Sequence, residues 1–193
     1  MPRPATETRE HVLEVANDLF YWHGIRATGV DTVAAEAGVA PTTLYRLFAS
    51  KDDLVAAYIE RSDRLYREWF DAAVKSAGPD PRARILAVFD ALEDQVQPER
   101  CRGCPFLMAL TEFPDPDLPV HRRAVATKRW VRKRFGALVE ALAETAAVRD
   151  PVGLADRLTL VFEGVYASVQ ALGADGPAVR ARAFADALLL SAQ

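Results

Sequence analysis

The sequence predicts an all-α protein of about nine helices, a module of short N-terminal helices joined to a bundle of longer ones. Three observations carry that expectation. Proline follows a plausible capping residue at Asp80-Pro81, Cys104-Pro105, Asp150-Pro151 and Gly176-Pro177, and proline suits the first helical position because its missing N–H would have no partner there. Glycine follows apolar-periodic runs at Gly24, Gly38, Gly78 and Gly173, where it takes the left-handed conformation that closes a helix. No segment shows sustained period-two alternation between turn residues, the mark of a strand.

The elements follow in order. Residues 6–23 form an amphipathic first helix ending at Gly24. Helices over 30–37 and 41–48 are short and flank Gly38. Ser50 and Asp53 resemble a capping box and start a long helix over 51–77. Further helices are expected over 81–97, 105–113, 119–147, 151–172 and 177–191. Pro114-Asp115-Pro116-Asp117-Leu118-Pro119 reads as a rigid extended connector between the sixth and seventh.

Composition bounds the function classes. The chain has 193 residues, half of them hydrophobic, 26% charged, with a net charge of −3. That is a globular balance, not a disordered one. No stretch approaches the roughly 18 apolar residues of a membrane span, and Met1 to Glu7 lacks the apolar run of a signal peptide. Two cysteines cannot make a disulfide framework. A soluble cytoplasmic protein is expected, with no membrane partner. Net acidity argues against non-specific nucleic-acid binding.

The most informative stretch is Val30-Asp31-Thr32-Val33-Ala34-Ala35-Glu36-Ala37-Gly38-Val39-Ala40-Pro41-Thr42-Thr43-Leu44-Tyr45-Arg46-Leu47-Phe48-Ala49. It fits a helix-turn-helix, with the motif at about 30–49. Ala34 is small where two helices cross, Gly38 turns the chain, Pro41 opens the second helix, and Val30, Val33, Ala37 and Leu44 share an apolar face. An αα-hairpin without a nucleic-acid role needs the same small residue and turn glycine. The second helix tips the reading, because Thr42, Thr43, Tyr45 and Arg46 are groups that reach base edges and phosphates from the major groove. Residues 1–50 carry the bases Arg3, Arg9, Arg26 and Arg46 against six acids, a net charge of −2. One such module binds DNA weakly, since phosphate neutralisation supplies most non-specific affinity, whereas two modules in a dimer gain through effective concentration.

Gly24-Ile25-Arg26-Ala27-Thr28-Gly29-Val30-Asp31-Thr32-Val33-Ala34, then Ala37-Gly38-Val39, then Thr43-Leu44-Tyr45-Arg46-Leu47-Phe48-Ala49-Ser50-Lys51-Asp52-Asp53-Leu54, resembles the N-terminal domain of TetR/AcrR-type transcriptional regulators over roughly residues 6–60. The resemblance implies a homodimeric regulator, a repressor more often than an activator, that leaves a palindromic double-stranded operator when a small-molecule effector binds. It implies a DNA-binding domain over 6–60 and a ligand-binding and dimerisation domain over 61–193. It assigns Thr28 to a phosphate contact before the second helix, Thr42, Thr43, Tyr45 and Arg46 to the recognition helix, and Lys51 to a phosphate contact opening the fourth helix. Two positions depart from the family's pattern: Ala40 stands where a serine cap is common, and Pro41 where a base is common.

The helix over 151–172 is apolar nearly all round, and the one over 177–191 continues it. A helix apolar on every side is buried on every side. With Gly164 allowing two backbones to approach, and with the family resemblance, this predicts a four-helix dimer interface through Leu158, Phe162, Val165, Val169, Phe184 and Leu188. The alternative is an intramolecular core. Aromatic residues gather on the middle helices, and an effector pocket among them would be lined by Trp69, Phe106, Glu112, Trp130, Phe162 and Tyr166. His121, Glu163 and Gln170 are further polar candidates. Arg122, Arg123, Lys128, Arg129, Arg132, Lys133 and Arg134 form a run without an acid. It reads first as a solvated face, with the acidic connector 115–117 as its neutralising neighbour.

Cys101-Arg102-Gly103-Cys104 is a C-x-x-C motif. The competing function is a thiol-based redox protein, or a redox-sensing regulator using Cys101 and Cys104. No second pair or suitably spaced histidine points to zinc. No catalytic constellation, metal site or cofactor motif is expected, so the chain reads as a non-enzyme without a cofactor.

Overall fold

The computed structural model describes residues 4–192. Met1 to Arg3 of the leader reading, including the Arg3 counted in the module's charge, lie outside the described residues. Among these, nine α-helices and two 3₁₀ turns account for the chain, and no strand occurs. The helices are α1 (Ala5–His23), α2 (Val30–Glu36), α3 (Pro41–Leu47), α4 (Lys51–Ser76), α5 (Pro81–Gln95), α6 (Pro105–Glu112), α7 (Pro119–Ala143), α8 (Pro151–Leu172) and α9 (Ala181–Ser191). The expected all-α class and helix order hold.

Local chemistry explains most of the boundaries. Asp80 caps α5 by accepting from the Arg82 and Ala83 amides at 3.3 and 3.1 Å, and Asp150 caps α8 by accepting from Gly153 N–H at 2.9 Å. Both caps precede a proline at the first helical position. A Cβ on Gly153 would fall 1.9 Å from the Asp150 carboxylate, so glycine is required for that cap to fold over. Ser50 Oγ accepts from Asp53 N–H at 3.1 Å and donates to the Asp53 carboxylate at 3.0 Å. That is half of a capping box, since the carboxylate takes the hydroxyl rather than the backbone N–H.

Three expectations are corrected. The seventh helix ends at Ala143 rather than 147, because the Leu142 carbonyl collects three donors, Thr145 N–H, Ala146 N–H and the Thr145 hydroxyl, which closes the helix in a tight turn. The segment expected as one helix over 177–191 opens with a 3₁₀ turn, Pro177–Arg180. The α-helix begins at Ala181, and the carboxylate of Glu93 on α5 accepts from Arg182 N–H at 3.2 Å. The connector 114–119 is not extended throughout: Asp115 accepts from Asp117 N–H with its side chain and from Leu118 N–H with its carbonyl, an Asx-type turn.

The chain divides into two compact units, one running through Leu65 and including Pro105–Val125, the other comprising Tyr66–Cys104 and the residues from Ala126 onward. The first has a continuous core in which Val12, Leu13, Ala16 and Phe20 of α1 are buried together with Val33 and Ala34 of α2, Leu44 of α3, and Leu54, Tyr58 and Ile59 of α4. The Phe20 and Tyr58 rings meet edge to face at 5.2 Å. Arg61 of α4 reaches Glu10 and Glu14 of α1 at 2.5 and 3.4 Å. The second unit is built around a ring cluster. Phe70, Phe89, Phe135 and Phe162 are fully buried, and Phe135 and Phe162 pack at 5.4 Å. In this unit α9 packs on both α5 and α8. No helix of the described residues is long and apolar enough to cross a membrane.

Candidate nucleic-acid interface and effector region

The two helices of the motif are joined by a Schellman turn. Gly38 stands at φ +64°, its N–H donates to the Ala35 carbonyl, and Val39 N–H donates to the Ala34 carbonyl, each at 3.0 Å. These are the paired bonds of that motif, and they depend on a residue that tolerates positive φ. Open space surrounds the missing Cβ, so backbone conformation alone selects glycine here. Ala40 offers no side-chain cap to α3, and Pro41 occupies its first position.

Leu44 anchors α3 in the core with no exposed surface. Thr42, Tyr45 and Arg46 then point outward, with Tyr45 51% exposed. Their spacing, at i, i+3 and i+4, puts all three on one helix face. Thr43 is half-buried beside them. Lys51 is half-buried, and its Nζ donates to the Arg26 carbonyl at 3.0 Å. Thr28 departs from its expected place. It is buried, and its hydroxyl donates to the Gly24 carbonyl at 2.8 Å, so it closes the α1–α2 turn and does not offer an exposed hydroxyl to a phosphate.

A feature invisible in the sequence holds that same turn. Glu112, the last residue of α6, accepts from Ile25 N–H at 3.0 Å and from Arg26 N–H at 2.7 Å. The Arg26 guanidinium stacks 5.1 Å from the ring centre of Phe113. Glu112 was expected to line an effector pocket; here both its oxygens are spent on backbone amides 86 and 87 residues away. His121 likewise serves structure, with Nδ1 2.8 Å from the Phe113 carbonyl.

Of the expected effector residues, the second unit brings together Trp69, Trp130, Phe162 and Tyr166. Phe162 lies 6.4 Å from Trp69 and 6.0 Å from Tyr166, and Trp130 meets Phe70 at 5.3 Å. Phe162 and Tyr166 are buried among these rings, and Trp69 and Trp130 are half-buried. Phe106 is fully buried and belongs, with Glu112, to the first unit. Beside the rings lies a polar cluster. Lys128 Nζ is 2.7 and 3.0 Å from the two oxygens of Glu163 and 3.0 Å from Cys104 Sγ, and the Tyr166 hydroxyl donates to Gln95 at 2.8 Å. Burial pushes Tyr166 and Tyr66 well above the ordinary tyrosine range, helped by the Cys104 sulfur and the Glu163 carboxylate. For a group whose folded pKa is raised, stability is whole below the unfolded pKa and is lost as pH climbs through the folded one. An alkaline titration should therefore show Tyr66 and Tyr166 ionising only above the ordinary tyrosine range, with unfolding. Five tyrosines titrating together in a still-helical protein would contradict these burials.

Four of the seven bases in the run on α7 are paired, though not with the connector. Arg123 faces Glu60 and Asp63, Lys128 faces Glu163, Arg132 faces Asp156 and Arg134 faces Asp71. The carboxylates come from α4 and α8.

The expected dimer residues divide. Leu158, Phe162, Val165 and Val169 are buried in the chain's own core, so they present no surface to a partner. Phe184 is 46% exposed and Leu188 is half-buried. A second apolar stripe on α8 points outward instead, Leu160 with Gly164, Ala167 and Ala171, and Leu160 is 72% exposed. Val179 and Leu190 extend the exposed apolar surface beyond α8. A shallow depression of about 190 Å³ runs between Gly164, Ser168, Ala181 and Phe184.

This arrangement of helices and the outward face of α3 match known proteins. Residues 12–58 match the tetR family of bacterial regulatory proteins, and residues 81–185 match the tetracyclin repressor-like C-terminal domain. SCO4454, a TetR-family transcriptional regulator from Streptomyces coelicolor, superposes with a TM-score of 0.88 at 30% identity, covering 97% of this chain and 96% of that one. The HTH-type transcriptional regulator YjdC of Escherichia coli K12 is 28% identical over 81% of this chain and 80% of its own length. The HTH-type transcriptional repressor KstR2 of Mycobacterium tuberculosis is 34% identical over 44% of each chain. These proteins are regulators of transcription and not enzymes, and the chain belongs to the TetR family of bacterial transcriptional regulators.

Proposed function

We propose that the chain is a cytoplasmic, ligand-responsive repressor that binds a palindromic operator as a homodimer and leaves it when a small-molecule effector binds. Residues 6–60 form the DNA-binding domain in this reading, and residues 61–193 form the effector and dimerisation domain. The observation that carries it is the outward face of α3: Thr42, Tyr45 and Arg46 stand free on a short helix pinned by Leu44 behind a Schellman turn. A hydroxyl, a phenol and a guanidinium on one exposed face suit base edges in a major groove. Repression is the sense taken, after the relative named a repressor. The effector is assigned to the aromatic second unit, where Trp69 and Trp130 would report it by fluorescence.

Dimerisation is assigned to the outward surface of α8 and α9, through Leu160, Phe184, Leu188 and Leu190. It replaces the inward stripe of Leu158, Phe162, Val165 and Val169.

Binding to a duplex enriched from a random pool tests the DNA assignment. Arg46→Ala should relax specificity at one position of each half-site at a cost of ~1–3 kcal/mol. Lys51→Ala should weaken all sequences alike and lower the salt slope by about 1 per half-site. Equal binding by Arg46→Ala and wild type at every operator position would remove α3 from the interface.

A further inference from the structure

Cys104 immediately precedes α6, and its sulfur is buried at the end of the Lys128 side chain, 3.0 Å from Nζ. Lys128 already has the Glu163 carboxylate as a partner at 2.7 Å, and the rings of Tyr66 and Tyr166 flank it at 6.0 and 5.9 Å. An ion pair of this kind needs no sulfur to complete it. The sulfur gains from the ammonium, because a fixed positive group stabilises the negative charge that gathers there when a thiol gives up its proton to attack. Cys101 is buried three residues upstream. Gly103 between them sits at φ +128°, and a Cβ there would fall 2.7 Å from Gln170 Oε1, so the thiol loop is closely held.

We propose that Cys104 and Cys101 are a peroxide-reactive thiol pair. In the first step Cys104 sulfur attacks the distal oxygen of a hydroperoxide. The S–O bond forms as the O–O bond breaks, giving Cys104 sulfenic acid and, with the thiol's proton, an alcohol or water. Cys101 sulfur then attacks Cys104 sulfur, the S–S bond forms, and the hydroxyl leaves as water with the Cys101 proton. Two thiols and one hydroperoxide thus give one disulfide, one water and one alcohol or second water, and the sulfurs lose two electrons to the peroxide bond. Lys128 is not the resolving group. Burial pulls its pKa down, but the Cys104 sulfur and the Glu163 carboxylate outweigh burial and hold it above the ordinary lysine value, so its nitrogen keeps its proton and has no lone pair to offer. Burial of both sulfurs excludes a bulky disulfide as the oxidant.

The experiment treats the reduced full-length chain with hydrogen peroxide and follows it by peptide mass mapping. The expected result is a Cys101–Cys104 disulfide reversible by dithiothreitol, with oxidised glutathione ineffective. Cys101→Ser should stop at a sulfenic acid on Cys104 that dimedone traps. Thiols that stay reduced at peroxide levels oxidising the urea-unfolded chain would overturn the site.

Discussion

Replacing Leu160 by glutamate should turn the protein into a monomer and weaken operator binding at least 100-fold. Leu160 is 72% exposed on the outward stripe of α8, beside the open surface at Gly164. In a two-fold interface each substitution appears twice, and each carboxylate would be carried into an apolar contact without a partner. Burying an unpaired charge costs several kcal/mol, and about 2.8 kcal/mol already corresponds to 100-fold. Operator binding falls with it, because joining two weak modules raises avidity by ~10²–10⁴. The monomer's own stability should change by no more than ~0.5 kcal/mol, as for other exposed positions. Val165→Glu provides the contrast: Val165 is buried inside the chain, so that variant should fail to fold rather than dissociate. Light scattering and thermal melting separate the two outcomes. A Leu160→Glu protein that remains dimeric would move the interface elsewhere.

Lys128→Ala should lower thermal stability more than any change on the exposed face of α3. Its removal leaves the Glu163 carboxylate, only 22% exposed, without a counter-charge. Breaking a buried ion pair costs ~3–5 kcal/mol, and for a chain of this length each kcal/mol shifts the melting temperature by roughly 2–4 °C, so a fall of about 6 °C or more is expected. Lys128→Met with Glu163→Leu should recover most of it, since apolar replacements of a buried pair are often neutral. The sign with pH follows from the raised Lys128 value: the contribution is whole at neutral pH and disappears only as pH rises through the folded value, above that of an ordinary lysine. A single variant melting within about 1 °C of wild type would show that Glu163 finds water when Lys128 is gone.

How far the fold was legible follows from the range of the forces involved. Helix starts at Pro81, Pro105 and Pro151, the end of α1 at Gly24 and the turn at Gly38 are set by residues a few positions away, so proline, aspartate and glycine announced them. The start of α9 depends on Glu93 and the α1–α2 turn on Glu112, through contacts spanning 89 and 87 residues. No local pattern marks those. The facing of α8 was misread for a different reason. Leu158, Phe162, Val165 and Val169 recur at i, i+4, i+7 and i+11, and so do Leu160, Gly164, Ala167 and Ala171, displaced by two residues. Periodicity cannot choose between two stripes of equal spacing. Side-chain size can, because the bulkier stripe excludes more surface from water when it faces the core, and it is the bulkier stripe that the structure buries. Thr28 was misplaced because a threonine before a helix can turn its hydroxyl to solvent or back to a carbonyl four residues earlier, and here it turns back.

The most direct test of the proposed regulator is the mass of the protein bound to its enriched duplex, measured by light scattering at moderate salt. Two copies of a 21.2 kDa chain on one palindrome, with half-sites about 34–36 Å apart, is the predicted result, together with loss of the complex in Leu160→Glu. A single chain binding one half-site tightly, its affinity unaffected by Leu160→Glu, would contradict it.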